Sequence, residues 1–182
     1  MPKLGESGLA FAMLGMLAGS LLPPALGQGA NPIENCLIAG GALPDAVIRE
    51  CTLAMQSSDK AAIPAVYLGR ADAYVRKGDY DRALADYDEA IKLAPDTAIA
   101  FALRGEVHAK RGDYDGAIAD YERAIERAPN LPSAFSNRGL AWANKGELRL
   151  AIADYTKAIK LDPNLPVAFN NRGIAHAARG EH

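Results

Sequence analysis

A period of 34 residues constrains this chain more than any other feature, because proline recurs at that interval at Pro95, Pro129 and Pro163. The residues between these prolines also recur in fixed columns of aromatic or small side chains. The columns are Tyr67, Phe101, Phe135, Phe169; Ala71, Gly105, Gly139, Gly173; Tyr74, His108, Trp142, His176; Ala83, Ala117, Ala151; Tyr87, Tyr121, Tyr155; and Ala90, Ala124, Ala158. Such self-similarity predicts one structural unit that is repeated along the chain and stacks on its neighbours.

Each unit is predicted to be a pair of helices. Its apolar columns recur three, four and seven residues apart, which is the spacing of one helix face. A glycine between the two halves follows a Lys or Arg and precedes an acid, which favours a left-handed turn between two helices. These glycines are Gly78, Gly112, Gly146 and Gly180. Proline after the second helix ends it, and the alanine columns let helix axes approach closely.

The order and spacing of these columns resemble the tetratricopeptide repeat (TPR). The resemblance covers residues 64–97, 98–131 and 132–165, followed by the first helix of a further, truncated repeat over residues 166–182. It implies an all-α, right-handed superhelical solenoid whose first helices line a concave face. It also implies a non-catalytic scaffold for protein–protein interaction, of the exported bacterial type.

The amino terminus is typical of a signal peptide. Lys3 precedes an apolar stretch over residues 9–22, and the small residues of Ala25-Leu26-Gly27 favour cleavage before Gln28. Residues 1–27 are therefore expected to be removed, which leaves an exported, periplasmic or secreted protein without a membrane association. A retained anchor is the alternative, but the apolar stretch is shorter than the roughly 20 residues that cross a bilayer.

Residues 28–63 are expected to form a degenerate N-terminal capping half-repeat. They contain the two cysteines of the chain, Cys36 and Cys51. Export favours a disulfide between them, since an oxidising compartment preserves such bonds. The loop of about 15 residues would contribute about 3 kcal/mol. Two buried thiols are the alternative.

An arginine precedes the small-residue column in every copy, and an acid precedes the Tyr or Cys column. The arginines are Arg70, Arg104, Arg138 and Arg172, and the acids are Glu50, Asp86, Asp120 and Asp154. Pairing each arginine with the acid of the preceding repeat leaves no member unpaired, so this between-repeat register is predicted. A guanidinium binds a carboxylate through two hydrogen bonds, and such pairs would fix the stacking of the repeats.

Composition and motifs argue against several function classes. A formal net charge of −2 leaves no basic stripe for nucleic acid. His108 and His176 share a column with aromatic residues, which favours packing over catalysis, a metal or another cofactor. The tripeptide at residues 111–113 falls in the turn column, so we interpret it as a turn and not as an integrin-binding motif.

The resemblance places a candidate peptide-binding groove on the first helices. Its residues are Asp72, Arg76, Glu106, Lys110, Asn137, Leu140, Asn144, Asn170 and Asn171. Asn137 and Asn171 share a column, similar to the asparagine ladders by which some TPR proteins hold a peptide backbone. Gly69 and Leu103 interrupt that column. A solvated face without a ligand is the alternative.

Two further features bear on partners. Leu68 and Asp72 stand where the chaperone-tail clamp of some TPR proteins has Lys and Asn, which disfavours that ligand. No second helix follows Phe169 and Ile174 before His182, so a truncated product or an edge that pairs with another copy or a partner is expected. An accessory fragment of a larger enzyme and an assembly module acting through this edge are the alternative functions.

Overall fold

A computed structural model of the chain describes residues 32–38, 43–57 and 59–180, and this part is helical without strands. The predicted all-α fold class is confirmed. The predicted signal peptide lies outside the described residues. The helices are α1 (Pro32–Ile38), α2 (Pro44–Ala54), α3 (Ile63–Lys77), α4 (Tyr80–Leu93), α5 (Ala98–Lys110), α6 (Tyr114–Arg127), α7 (Pro132–Asn144), α8 (Leu148–Leu161) and α9 (Pro166–Ala178).

Left-handed glycines connect the two helices of a pair. Gly112 has a φ of 79°, and the next N–H, that of Asp113, donates to the carbonyl of His108 at 2.9 Å. The Asp113 side chain then accepts from the N–H of Gly116 at 3.0 Å and caps α6. The tripeptide at residues 111–113 is thus a turn, as predicted. The same left-handed conformation recurs at Gly78, Gly146 and Gly180.

The two helices of a pair touch closely where a small residue faces a tyrosine. A Cβ atom on Gly139 would lie 2.9 Å from the ring of Tyr155 and 3.2 Å from the carbonyl of Ala151. A Cβ atom on Gly105 would lie 3.0 Å from Tyr121. Real Cβ atoms essentially never approach as closely as the 2.9 Å at Gly139, and the 3.0 Å at Gly105 is tighter than most Cβ contacts, so glycine eases the packing of α5 and α7 against α6 and α8.

The N-terminal segment contains a shortened helix pair, α1 and α2. The sequence predicted a half-repeat here, and the residues before α2 form the additional helix α1. A disulfide between Cys36 and Cys51 joins α1 to α2, with the Cα atoms 4.7 Å apart. Both cysteines are buried. Gly69 of α3 makes room for them, since a Cβ atom there would lie 3.3 Å from the Sγ atom of Cys36. The core around the disulfide contains Ile33, Val47, Ala54, Val66 and Ala73.

The arginine–acid pairs lie within repeats, so the predicted between-repeat register is wrong. The Nε and Nη2 atoms of Arg104 donate to the two carboxylate oxygens of Asp120 at 2.8 and 2.5 Å. The same bidentate geometry joins Arg70 to Asp86 and Arg138 to Asp154. The predicted pairs were Glu50–Arg70, Asp86–Arg104, Asp120–Arg138 and Asp154–Arg172. Glu50 instead accepts a hydrogen bond from Asn35 at 3.4 Å.

Helical phase explains this difference. Successive residues of a helix point about 100° apart, so Asp86 and Asp88 face opposite sides of α4. Asp86 faces α3 of its own repeat, whereas Asp88 accepts from Nη1 of Arg104 in the next repeat at 2.6 Å. Arg138 likewise has its Nη1 atom 3.9 Å from Glu122 of the preceding repeat. Arg70, Arg104 and Arg138 therefore contact the second helices of their own and of the preceding repeat, but the buried carboxylate that each one binds belongs to its own repeat.

Ion pairs between repeats also occur at the turns, where the sequence reasoning did not place them. The cation before the turn glycine reaches an acid in the first turn of the preceding second helix. These pairs are Lys77–Asp45, Arg111–Asp81 and Lys145–Asp115. Their carboxylates are 79%, 85% and 81% exposed, so each pair contributes roughly 0–1 kcal/mol.

A double-mutant cycle distinguishes the two registers. Arg138→Gln or Asp154→Asn alone should lower the free energy of unfolding by about 3 kcal/mol, because each leaves a largely buried charge without its partner. The double variant should lose little more than the worse single variant. Urea unfolding measures all three. In the matched cycle of Arg138→Gln with Asp120→Asn, the losses should add. Coupling of Arg138 to Asp120 but not to Asp154 would contradict the structure.

Candidate functional site

Two adjoining cavities run along the first helices α5, α7 and α9. The first has a volume of about 360 Å³ and is lined by the predicted residues Glu106, Lys110, Asn137, Leu140 and Asn144. The second, of about 330 Å³, is lined by Leu140, Asn144, Asn171 and Ile174 among others. Leu140 and Asn144 belong to both linings. We call this continuous depression the groove.

Three predicted groove residues lie outside the linings of these two cavities. Asp72 and Arg76 are on α3, where their side chains form an ion pair of 3.2 Å one turn apart. Asn170 is exposed on α9 and donates to the Asn171 side chain at 3.5 Å. Its counterparts one and two repeats earlier, Ser136 and Ala102, are buried. The groove is therefore formed by α5, α7 and α9, which are the first helices of the second, third and fourth repeats.

The groove combines apolar side chains with amides. Leu140 and Ile174 are 46% and 61% exposed, although they are large hydrophobic residues. The side-chain nitrogen of Asn137 donates to Glu106 at 3.2 Å, and that of Asn144 donates to the Leu140 carbonyl at 3.0 Å. The amide oxygens of both asparagines are acceptors for a ligand N–H group. A ligand can thus bury apolar groups and satisfy backbone groups at the same place.

The asparagine column is interrupted because its earlier members serve packing. Gly69 makes room for the disulfide between α1 and α2. Leu103 packs against the core cluster that contains Tyr87. Asn137 and Asn171 follow in the same column, and each lines one of the two cavities. The amide-rich part of the groove is for this reason limited to α7 and α9.

Buried tyrosines form part of the groove floor. Tyr121 lines the first cavity and Tyr155 the second, and both are 1% exposed. Burial raises the pKa of Tyr155 to about 12, the Asp154 carboxylate adds to this, and a hydrogen bond with Asn171 acts in the opposite direction. Burial also raises the pKa of Tyr121, with Glu106 contributing. The floor therefore presents neutral phenols at ordinary pH.

His108 contacts the residue that caps the next helix. The Nδ1 atom of His108 lies 2.7 Å from the Asp113 carboxylate that caps α6. Among the described residues, no three His, Cys, Asp or Glu side chains converge in a way that could hold a metal ion. In the same part of the chain, no helix has both the length and the apolar character needed to cross a membrane.

Stacked helix-turn-helix pairs with a groove on their first helices define a helical-repeat solenoid. Two tetratricopeptide repeat profiles match this chain, one over residues 68–132 and the other over residues 132–165. Together they span more than half of the sequence. The chain belongs to the tetratricopeptide repeat family.

Solved structures of the same fold resemble the chain along most of its length. MamA (41-end) from Desulfovibrio magneticus RS-1 is 26% identical, with a TM-score of 0.73 over 84% of this chain and 84% of that one. The second TPR domain of human RPAP3, solved with the HSP70 peptide SGPTIEEVD, is 25% identical, with a TM-score of 0.58 over 62% and 97%. The first TPR of Spaghetti (RPAP3), bound to the HSP90 peptide SRMEEVD, is 23% identical, with a TM-score of 0.63 over 64% and 93%. No curated protein sequence matches the chain.

The Tyr155→Phe variant should lose less stability at alkaline pH than the wild type. In the folded chain the Tyr155 pKa is raised to about 12, whereas an unfolded tyrosine titrates near pH 10. The unfolded state therefore loses this proton first, and the stability contributed by neutral Tyr155 decreases as pH rises from about 10 to about 12. Between about pH 9 and about pH 11, urea unfolding should show a loss about 1 kcal/mol larger in the wild type. Equal losses in both proteins would argue against a buried phenol.

Proposed function

We propose that this chain is a non-catalytic scaffold that binds an extended segment of a partner protein in the groove, in an extracytoplasmic compartment. The observation that supports this most is the continuity of the two cavities through Leu140 and Asn144. A continuous groove in which asparagine recurs at Asn137 and Asn171 suits an extended peptide, because the backbone groups of a peptide also recur at a regular interval.

The side chains of the groove indicate the chemistry of the segment. Exposed Leu140 and Ile174 suit apolar side chains of the ligand, because burying them removes apolar surface from water. Asn137 and Asn171 suit its backbone, since an amide both donates and accepts. Lys110 lines the first cavity and offers a cation at the end nearer to α5. Glu106, one turn away on α5, lines the same cavity, so we expect a segment with apolar anchors and, toward that end, a polar side chain that can pair with Lys110 or Glu106.

A TPR domain that is 25% identical to the chain, the second domain of human RPAP3, was solved with an HSP70 peptide, which supports a peptide ligand. The acidic tail of that peptide is not the expected ligand here. Asp72 occupies a position where the chaperone-tail clamp has Asn, and its carboxylate would repel an acidic tail. Leu68, at a clamp Lys position, packs against the core around Tyr87. Asp72 and Leu68 therefore cannot make the contacts that Asn and Lys make in the clamp.

Binding to a displayed library of random peptides tests the groove. The wild-type chain should enrich a set of related sequences, and Leu140→Asp should weaken their binding by at least about tenfold, because a charge replaces the apolar anchor. Asn137→Ala should weaken it less. Lys160→Ala, on the exposed surface of α8, is the matched control and should bind like the wild type. Circular dichroism checks that each variant is folded.

The peptide SGPTIEEVD should not compete with the enriched sequences. Enrichment that survives Leu140→Asp and Asn137→Ala unchanged would place the ligand elsewhere, and competition by SGPTIEEVD would contradict the assignment of Asp72. The absence of any enrichment would favour a solvated face without a peptide ligand.

Export rests on the leader pattern of residues 1–27 and agrees with the disulfide between Cys36 and Cys51. Disulfides persist in oxidising compartments and are rare where thiols are kept reduced. The bond ties α1 to α2 at the N-terminal end of the solenoid, where end repeats would otherwise open. We therefore propose together that the chain is in an oxidising compartment and that the disulfide holds the first helix pair, α1 and α2, closed there.

Expression of the full-length chain in a bacterial host tests the location. The product in the exported fraction should begin at Gln28, and mass spectrometry without reduction should find no free thiols. Leu14→Arg places a charge in the apolar stretch and should keep the chain in the cytoplasm with its leader intact. Exported protein with an uncleaved leader, or with two free thiols, would contradict the proposal.

A further inference from the structure

The amide of Asn137 is held in one orientation in the groove. Its side-chain nitrogen donates a hydrogen bond of 3.2 Å to the carboxylate of Glu106 on α5. A carboxylate can only accept, so the nitrogen of this amide lies on the α5 side and the oxygen lies on the opposite side, toward α9. Both residues line the first cavity. Glu106 thereby fixes which way Asn137 presents its donor and its acceptor to a ligand.

The nitrogen of Asn171 is likewise on the side of the preceding repeat. Burial is the main cause of the raised Tyr155 pKa, and a hydrogen bond with Asn171 acts to lower it. Such a bond lowers a phenol pKa when it is donated to the phenol oxygen, so the Asn171 nitrogen is the donor. Tyr155 packs against α7, since an added Cβ atom on Gly139 would lie 2.9 Å from its ring. The Asn171 nitrogen is therefore on the α7 side.

The oxygen of Asn171 is on the other side of its amide. It accepts a hydrogen bond of 3.5 Å from the side-chain nitrogen of Asn170. The residue that corresponds to Asn170 two repeats earlier is Ala102, which belongs to the same core cluster as Ala134 of the following repeat. This position of a first helix thus faces away from the preceding repeat. At both asparagines of the groove, nitrogen precedes oxygen in the direction from α5 to α9.

An extended peptide can bind such an amide through both backbone groups of one residue. In an extended strand the N–H and the C=O of a residue point to the same side, and the N–H comes first along the chain. The amide oxygen accepts from that N–H, and the second N–H of the amide nitrogen donates to that C=O. The order of nitrogen and oxygen along the groove therefore determines the direction of the bound chain.

Building on the proposed function of the groove, we propose that it binds extended segments in one direction, with the C-terminal end toward α5 and the N-terminal end toward α9. Glu106 and Tyr155 are the positioning residues that set this direction through Asn137 and Asn171. From α5 to α9 the segment must present C=O before N–H, which is the order of a chain followed from its C-terminal end. The opposite direction would place donors against donors and acceptors against acceptors, which leaves those groups unsatisfied.

The same contacts define the class of segment that the groove accepts. In a helix the backbone N–H and C=O groups bond to one another, so a helical segment has none to offer to the amides. A proline facing Asn137 or Asn171 would lack the N–H group that the amide oxygen accepts. We therefore expect a segment that is extended across α7 and α9 and has a residue other than proline at both positions.

Nuclear magnetic resonance of the full chain tests the direction. The probe is the linear peptide that the wild-type chain enriches most from the displayed library, synthesised with a nitroxide label at one end or at the other. The label broadens the amide signals of nearby residues. The C-terminal label should broaden signals of α5, and the N-terminal label should broaden signals of α9. The reverse pattern, or broadening of both helices by each label, would overturn the proposal.

A retro-inverso form of the same peptide tests the positioning residues. It consists of D-residues in reverse order, which keeps the arrangement of the side chains but exchanges N–H and C=O. The wild type and the control Lys160→Ala should bind it at least about tenfold more weakly than the parent peptide. Glu106→Gln combined with Tyr155→Phe should reduce this difference to about twofold, because a Gln amide both accepts and donates and Phe has no phenol oxygen.

The outcomes separate this inference from the proposed function. If the wild type enriches peptides but binds the parent and retro-inverso forms equally, the groove binds peptides without reading their direction, and the inference is overturned. If the double variant is folded by circular dichroism and keeps the tenfold difference, Glu106 and Tyr155 do not set the direction. If the wild type enriches no peptide at all, the proposed function fails together with the inference.

Discussion

The contact between a tyrosine of each second helix and a small residue of the first is the constraint on which the rest of the structure depends. Gly105 and Gly139 bring the backbone of the first helix to about the van der Waals limit of Tyr121 and Tyr155. This close approach places the neighbouring arginine against the buried carboxylate of the same repeat. One short contact thus sets both the packing and the charge pairing of a unit.

The position of the second helices decides what the first helices can do. Because α6 and α8 cover one side of α5 and α7, an adjacent side of these helices, together with Tyr121 and Tyr155, lines a shared groove. The same packing leaves Leu140 and Ile174 partly exposed there. A scaffold of this kind binds through surfaces that its own stacking does not use. The groove is one such surface.

The repeat columns were sufficient to predict the helix pairs and their turns, whereas the pairing of Cys36 with Cys51 was predicted from the expected export. The columns did not predict which acid each arginine binds. That prediction chose the pairing that left no member unpaired, and it ignored the direction in which each side chain leaves its helix. Asp86 and Asp88 differ by only two positions, and that difference decides which repeat each one faces. Five predicted groove residues line one cavity. Only the structure shows that Gly69 and Leu103 of the asparagine column serve packing, whereas Asn137 and Asn171 line the groove.

Hydrogen exchange of the Gly139→Val variant tests the central claim most directly. The added side chain must displace Tyr155, which costs about 1–3 kcal/mol. Since each repeat of a solenoid contacts mainly its neighbours, the account predicts faster exchange in α7, α8 and α9, with protection retained in α3 and α4. Unchanged exchange, or an equal increase in all helices, would contradict it.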